Sequence, residues 1–223
     1  LVLFPFNLDF ANHSYTYFIE KILIEKFNMK YLLVGYNHRF GKGQAGNLET
    51  LKPLAAKNGF GMEEVGPVYN KNTAISSSLI RRTIHEGAVE RVRMYLGYNF
   101  YLHGRVIHGI KLGRSIGYPT ANIEPSESYK IIPGHGVYAV HVYRNNQKYN
   151  GMLSIGNRPT IEGHNDETAI EVNIFNFNES IYDQQLKIEF VSKIRNQEKF
   201  ETIEHLRMKI EEDKTTVLRL LRG

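Results

Sequence analysis

Cysteine is absent from all 223 residues. Disulfides and thiolate metal sites are therefore excluded, and a reducing compartment, the cytoplasm, is the expected setting. No apolar run approaches the ~20 residues that a membrane-spanning helix needs, and no secretory signal pattern is visible, so no membrane partner is expected. Internal repeats and low-complexity segments are lacking as well. Charge of one sign is only mildly in excess, with 28 basic against 23 acidic residues and a formal net charge of +5. The excess is uneven: Leu1–Phe100 holds 12 basic and 8 acidic residues, Tyr101–Gly223 holds 16 and 15. Such a balance suits a phosphate-rich ligand as well as a nucleic acid and decides nothing alone.

What is present divides in two. The first hundred residues alternate strand and helix. LVLF (1–4) reads as a short buried strand, and SYTYFIEKILIEKF (14–27) as a helix capped by Ser14. YLLVG (31–35) is a second buried strand, NLETLKPLAAKNG a helix from Asn47 to Asn58-Gly59, and MEEVGPV (62–68) a third strand. Three serines then open a helix that runs to Glu86, and AVERVRMYLG adds one more. This order predicts a partial doubly wound parallel sheet, with ligands at the carboxyl ends of strands. The opening LVLFPF has no polar lead-in, so an N-terminal piece absent from this chain is expected.

Near Gly97 the pattern changes. HGRVIHG, GVYAVHVYR, YNGMLSIG, AIEVNIFNF and QLKIEFVSKI are short strands broken by Gly, Pro and Asn, as in a small antiparallel β-barrel. From Gln197, Phe200, Ile203, Leu206, Ile210 and Val217 recur at helical spacing, which predicts a C-terminal helix closing the barrel. The expected fold is thus α/β plus β, with domains over 1–97 and 98–223.

Residues 101–123 carry Arg105, Lys111 and Arg114 with His103 and His108, and no carboxylate. The run from Gly113, GRSIGYPTANIEP, is neither a P-loop nor a dinucleotide-binding turn. Gly109, Gly113 and Gly117 let backbone N–H groups approach an anion. Thr120 and Asn122 offer oxygens that suit Mg²⁺ when nucleotide phosphates complete its shell. The same run also describes a hairpin loop whose Thr and Asn satisfy their own backbone. In AIEVNIFNF, Ile170, Val172 and Ile174 share one face and Glu171 and Asn173 the other. A carboxylate so placed can accept a proton from a hydroxyl nucleophile, which phosphoryl transfer from a held Mg-nucleotide requires.

In order, HGRVIHGIKLGRSIGYPTANI, GHGVYAV, GMLSIGNRPT, AIEVNIFNF and IRNQEKF resemble the riboflavin kinase domain from about Phe100 to the C-terminus. The resemblance implies that Thr120 and Asn122 hold Mg²⁺ with ATP. It further implies that the Gly109–Arg114 loop, including Lys111 and Gly113, wraps the nucleotide. Glu171 is then the base for the riboflavin 5′-hydroxyl, and Arg195 of IRNQEKF contacts flavin. Asn173 stands where that family often has His, which implies tuning of the site rather than its loss.

Upstream, GYNHRFGKGQAG with Arg39 and Lys42, and ISSSLIRR with Arg81 and Arg82 in the early helix turns, offer an anion site at a helix start, although serine capping is common. Together these runs are similar to the adenylyltransferase half of bacterial bifunctional riboflavin kinase/FMN adenylyltransferases. The likeness implies an adenylyl-transfer site with Asn37, Ser76, Ser77 and Arg81, and Ser78 stands in place of the usual Thr. That family's HxGH motif is expected upstream of residue 1, so residues 1–223 alone are expected to make FMN and essentially no FAD. Riboflavin, FMN and ATP are the small-molecule partners implied, and FAD is the product. Two alternatives stay open: a nucleotidyltransferase for another small phosphate substrate, and a basic barrel that binds RNA. The second would carry aromatics set among basic residues for base stacking. The 14 Tyr and 12 Phe form no such motif, so no nucleic-acid partner is expected.

Overall fold

The computed structural model describes residues 2–109, 113, 116–157 and 168–222. By internal contacts the chain divides into Leu1–Ala74 and Ile75–Gly223.

In the first unit, Asn7 caps a short helix α1 (Leu8–Ala11), accepting a bond from the Phe10 amide at 2.8 Å. Ser14 caps α2 (Tyr15–Tyr17) through the Tyr17 amide at 3.1 Å. α2 runs on into a π-helical segment, Phe18–Ile24, which buries Ile19 and Ile22. The expected helix is therefore present, with a wider turn over its apolar middle. β1 (Tyr31–Gly35) pairs in parallel with β2 (Gly61–Val65), and α3 (Leu48–Asn58) forms the crossover between them. α3 starts on a reciprocal capping box of Asn47 and Thr50 and stops at Gly59, where φ is 70°. A small hairpin of β3 (Tyr69–Asn70) and β4 (Thr73–Ala74) ends the unit. Its core is Ile19, Val34, Leu51, Leu54, Ala55 and Phe60.

Three expectations here are corrected. Val2–Phe4 form no strand: the sheet is two-stranded among the described residues, and Leu3 is 89% exposed. An apolar run becomes a strand only where a ladder partner meets it. β1 is not buried throughout, since Val34 alone is buried while Tyr31 and Leu33 are exposed. β2 ends at Val65, before Gly66-Pro67, because proline cannot donate to a ladder.

In the second unit α4 (Ser77–His85) is capped by Ser76, whose hydroxyl accepts from the Leu79 amide at 3.2 Å, and α5 (Val89–Leu96) follows. Six strands then close into an antiparallel barrel: β5 (Tyr101–Ile107), β6 (Ala121–Pro125), β7 (Gly136–Arg144), β8 (Gln147–Asn157), β9 (Thr168–Ile174) and β10 (Gln185–Arg195). Around the barrel the order is β10-β5-β6-β9-β8-β7. The period-2 pattern sends Leu102, Val106, Tyr138, Val140, Val142, Leu153, Ile155, Ile170, Val172, Ile188 and Phe190 into one core, joined by Ile84, Val89 and Val92 of α4 and α5. The hairpin-loop alternative for the run around Thr120 and Asn122 does not hold throughout. In the structure Ala121 and Asn122 already belong to β6.

Thr202 caps α6 (Ile203–Leu220). Val217 of α6 and Leu221 pack on Val137, Ala139, Met152 and Phe175, the outward residues of the barrel wall. Phe200 precedes the helix, and Ile203 is 58% exposed, so the expected stripe is narrower than its spacing suggests.

Candidate functional site

Register builds the site. On β6, Asn122 lies opposite Ile107 of β5 on one side and opposite Glu171 of β9 on the other. Residues directly across an antiparallel ladder project to the same face, so Asn122 and Glu171 stand together on the outside of the barrel. Ile170, Val172 and Ile174 fill the interior. The Thr120 hydroxyl donates to Glu171 Oε2 at 3.3 Å. Asn122 is nevertheless only 8% exposed.

Two glycines explain how that polar face is covered. A Cβ on Gly109 would stand 2.0 Å from Nδ2 of Asn122, and one on Gly113 would stand 2.3 Å from the Tyr118 carbonyl and 3.2 Å from Thr120 Oγ1. Gly109 and Gly113 thus lie against the Tyr118–Asn122 segment at distances that admit no side chain. Tyr118 N donates to the Gly113 carbonyl at 2.8 Å, and Asn173 Nδ2 donates to the Pro119 carbonyl at 2.6 Å. Asn173 thereby fixes the turn that presents Thr120. The structure accordingly brings together Gly109, Gly113, Thr120, Asn122 and Glu171; Lys111 and Arg114 lie outside the described residues.

Arg195 ends β10 just after a register shift between Lys193 and Arg195. Its Nε donates to Oδ2 of Asp213 at 2.8 Å, its Nη1 to the Asn196 carbonyl at 3.0 Å, and the guanidinium lies 5.6 Å from the Phe200 ring centre. Asp213 is 4% exposed, and burial pushes its carboxyl above the ordinary aspartate range even beside the guanidinium. Sequence reasoning missed this residue. The signal was available: Asp213 falls on the helical stripe of Ile210 and Val217, where an acid is out of place. It also missed Tyr118, whose hydroxyl donates to Glu211 Oε2 with Lys214 5.7 Å from the ring. The bond to Glu211 raises the Tyr118 pKa and keeps its proton in place.

The residues expected in adenylyl transfer divide between the units. Asn37 follows β1 in the first, just before a loop closed by mutual Phe40–Gly46 backbone bonds of 3.1 and 2.9 Å. In that loop Gly41 has φ 74°, and a Cβ there would meet Tyr15 N at 2.5 Å. Ser76 caps α4 in the second unit, with Ser77 and Arg81 in its opening turns.

Among the described residues no group of three or more His, Cys, Asp or Glu could hold a metal ion, and no helix is long and apolar enough to cross a membrane. Any cation at Thr120 and Asn122 would need oxygens from a ligand or from water.

Comparison with known proteins defines an enzyme of flavin-nucleotide metabolism in two parts. A family model described as riboflavin kinase matches residues 96–221, and one described as FAD synthetase matches residues 1–79. The bifunctional riboflavin kinase/FMN adenylyltransferase of Bacillus subtilis is 38% identical over 221 residues, covering 98% of this chain and 69% of that protein. The Haemophilus influenzae protein of the same description is 36% identical over 217 residues, covering 97% and 69%. A crystal structure described as a macrolide-efflux protein from Streptococcus pneumoniae superimposes with a TM-score of 0.85 at 32% identity, over 96% of this chain and 67% of that one. The chain belongs to the bifunctional riboflavin kinase/FMN adenylyltransferase family.

Proposed function

We propose that the barrel phosphorylates riboflavin at its 5′-hydroxyl with ATP, giving FMN, and that the α/β part serves the adenylylation of FMN to FAD with release of pyrophosphate. The reading assigns residues 98–223 to the first reaction and 1–97, with Asn37, Ser76, Ser77 and Arg81, to the second. The juxtaposition of Glu171 with Thr120 and Asn122 carries it. Glu171 takes the proton from the 5′-hydroxyl as that oxygen attacks the terminal phosphorus, whose bond to the bridging oxygen breaks and releases ADP. The bond to Thr120 aims the carboxylate, and the close-packed segments at Gly109 and Gly113, with Lys111 and Arg114, hold the phosphates. Thr120 Oγ1 and Asn122 Oδ1 are hard oxygens and suit Mg²⁺, which neutralises phosphate charge when it is bound with the nucleotide. Arg195 contacts the flavin. The expected setting is cytoplasmic, with small molecules as the partners.

Glu171→Gln keeps the size and the hydrogen bond but removes the base. FMN formation from riboflavin and ATP should fall by about two to four decades while the melting temperature holds. Activity within a few-fold of wild type would remove Glu171 from the mechanism.

A further inference from the structure

We propose that Asp213 is a positioning residue of the kinase site: it holds Arg195 in the orientation that meets the flavin. The inference rests on the assignment of Arg195 to flavin made above. Three observations join here. First, the register shift just before Arg195 lies where β10 ends, and bulges of this kind re-aim a side chain at the rim of a barrel. Second, the side chain so directed is committed on two edges, to Asp213 by Nε and to the Asn196 carbonyl by Nη1. Its Nη2 group has no hydrogen-bond partner among the described residues. Third, Asp213 occupies a position on α6 that packing alone would fill with an apolar residue, between Ile210 and Val217 on the buried stripe.

Burying a carboxylate is unfavourable unless it is paired and hydrogen-bonded, and an apolar residue of similar size often serves stability as well or better. The retained charge is therefore explained by what it does to its partner. An arginine has several rotatable bonds, and one held by a buried carboxylate presents its remaining donors in a fixed plane. A group ordered before the ligand arrives loses less conformational freedom on binding. Asp213 touches neither riboflavin nor ATP in this reading; it acts through Arg195.

The test compares steady-state kinetics and riboflavin binding, the latter by flavin fluorescence, in the full chain. Asp213→Asn should raise the riboflavin KM about tenfold or more, the scale on which lost preorganisation is felt. The KM for ATP and kcat should stay within a few-fold of wild type. Asp213→Glu, which keeps the charge, should recover part of the riboflavin affinity. Val217→Ala supplies the structural comparison: it loosens α6 on the barrel wall and should lower the melting temperature without moving the riboflavin KM. If Arg195→Ala weakens riboflavin binding and Asp213→Asn does not, Arg195 works unaided and the proposal fails while the flavin assignment stands. If Arg195→Ala leaves riboflavin binding unchanged, the assignment itself fails and takes the proposal with it. Parallel loss of both substrates in Asp213→Asn and Val217→Ala would reduce Asp213 to a structural role. Should Asp213→Asn not fold, Asp213→Glu decides: a riboflavin KM changed with the ATP KM unmoved supports positioning, and no change at all overturns it.

Discussion

At the residue scale the proposed kinase site depends on approaches too close to admit a β-carbon. Gly109 is the sharpest case, because any β-carbon there would occupy the space of the Asn122 amide. Gly109→Ala should therefore displace Asn122 and reduce FMN formation by at least tenfold, a loss comparable to misplacing a reacting group by about 1 Å. Gly109 is not among the residues of the barrel core, so the melting temperature should change little; steady-state kinetics and calorimetric melting check the two parts. Asn122→Ala tests the neighbouring claim. Asn122 lies across β6 from Glu171, and its amide oxygen is assigned to the metal-nucleotide rather than to the flavin. Titration calorimetry should show Mg-ADP binding weakened and riboflavin binding spared, and an unchanged Mg-ADP affinity would remove Asn122 from that role.

At the element scale the ends of helices and the faces of strands do the work. Asn47 and Thr50 satisfy each other's backbone at the start of α3, with bonds of 2.9 and 3.1 Å. Asn47→Ala should cost about 1 kcal/mol of stability, read by denaturant unfolding of the first unit. His141 makes a pH-dependent contribution on β7. It faces Asn150 of β8 at 3.0 Å, and burial, with Lys148 nearby, lowers its pKa from the ordinary 6.5. The folded state thus binds its proton less readily than the unfolded chain does. The stability this supplies is complete above the unfolded value and is lost as pH falls through the folded one. Melting temperatures between about pH 7 and about pH 5 should fall less steeply in His141→Gln than in wild type, other titrations being common to both.

At the scale of the whole molecule, the hydrophobic core around Leu51 and Ile19 and the barrel core around Leu153 and Phe190 are distinct clusters among the described residues. Truncating a buried leucine to alanine costs about 2–5 kcal/mol, set by how far the cavity collapses. Leu51→Ala, in the first core, should lower the melting of that unit and leave FMN formation largely intact. Leu153→Ala, inside the barrel, should destabilise the kinase unit and cut FMN formation in proportion to the folded fraction. Equal loss of kinase activity in both variants would show that the units do not melt independently.

Helix starts, the strand period and the glycine-bearing turns were legible in the chain because each is local. Asn47, Ser14, Ser76 and Gly59 act within four residues of themselves, and the alternation of Ile170, Val172 and Ile174 needs no distant partner to be recognised. Thr120, Asn122 and Glu171 could likewise be named as a set from their residue types and from a family pattern. Tertiary structure decided the rest. That Asn122 and Glu171 are neighbours follows from the register of β6 against β9, some fifty residues apart in the chain. Val2–Phe4 fail to become a strand, and Leu33 stays exposed, because burial depends on which surface arrives to cover an apolar side chain. Asp213 is the plainest example. Its sequence position marks it only as an acid out of place, and its meaning appears when the end of β10 brings Arg195 within 2.8 Å, since a buried charge is defined by its partner and that partner is chosen by the fold.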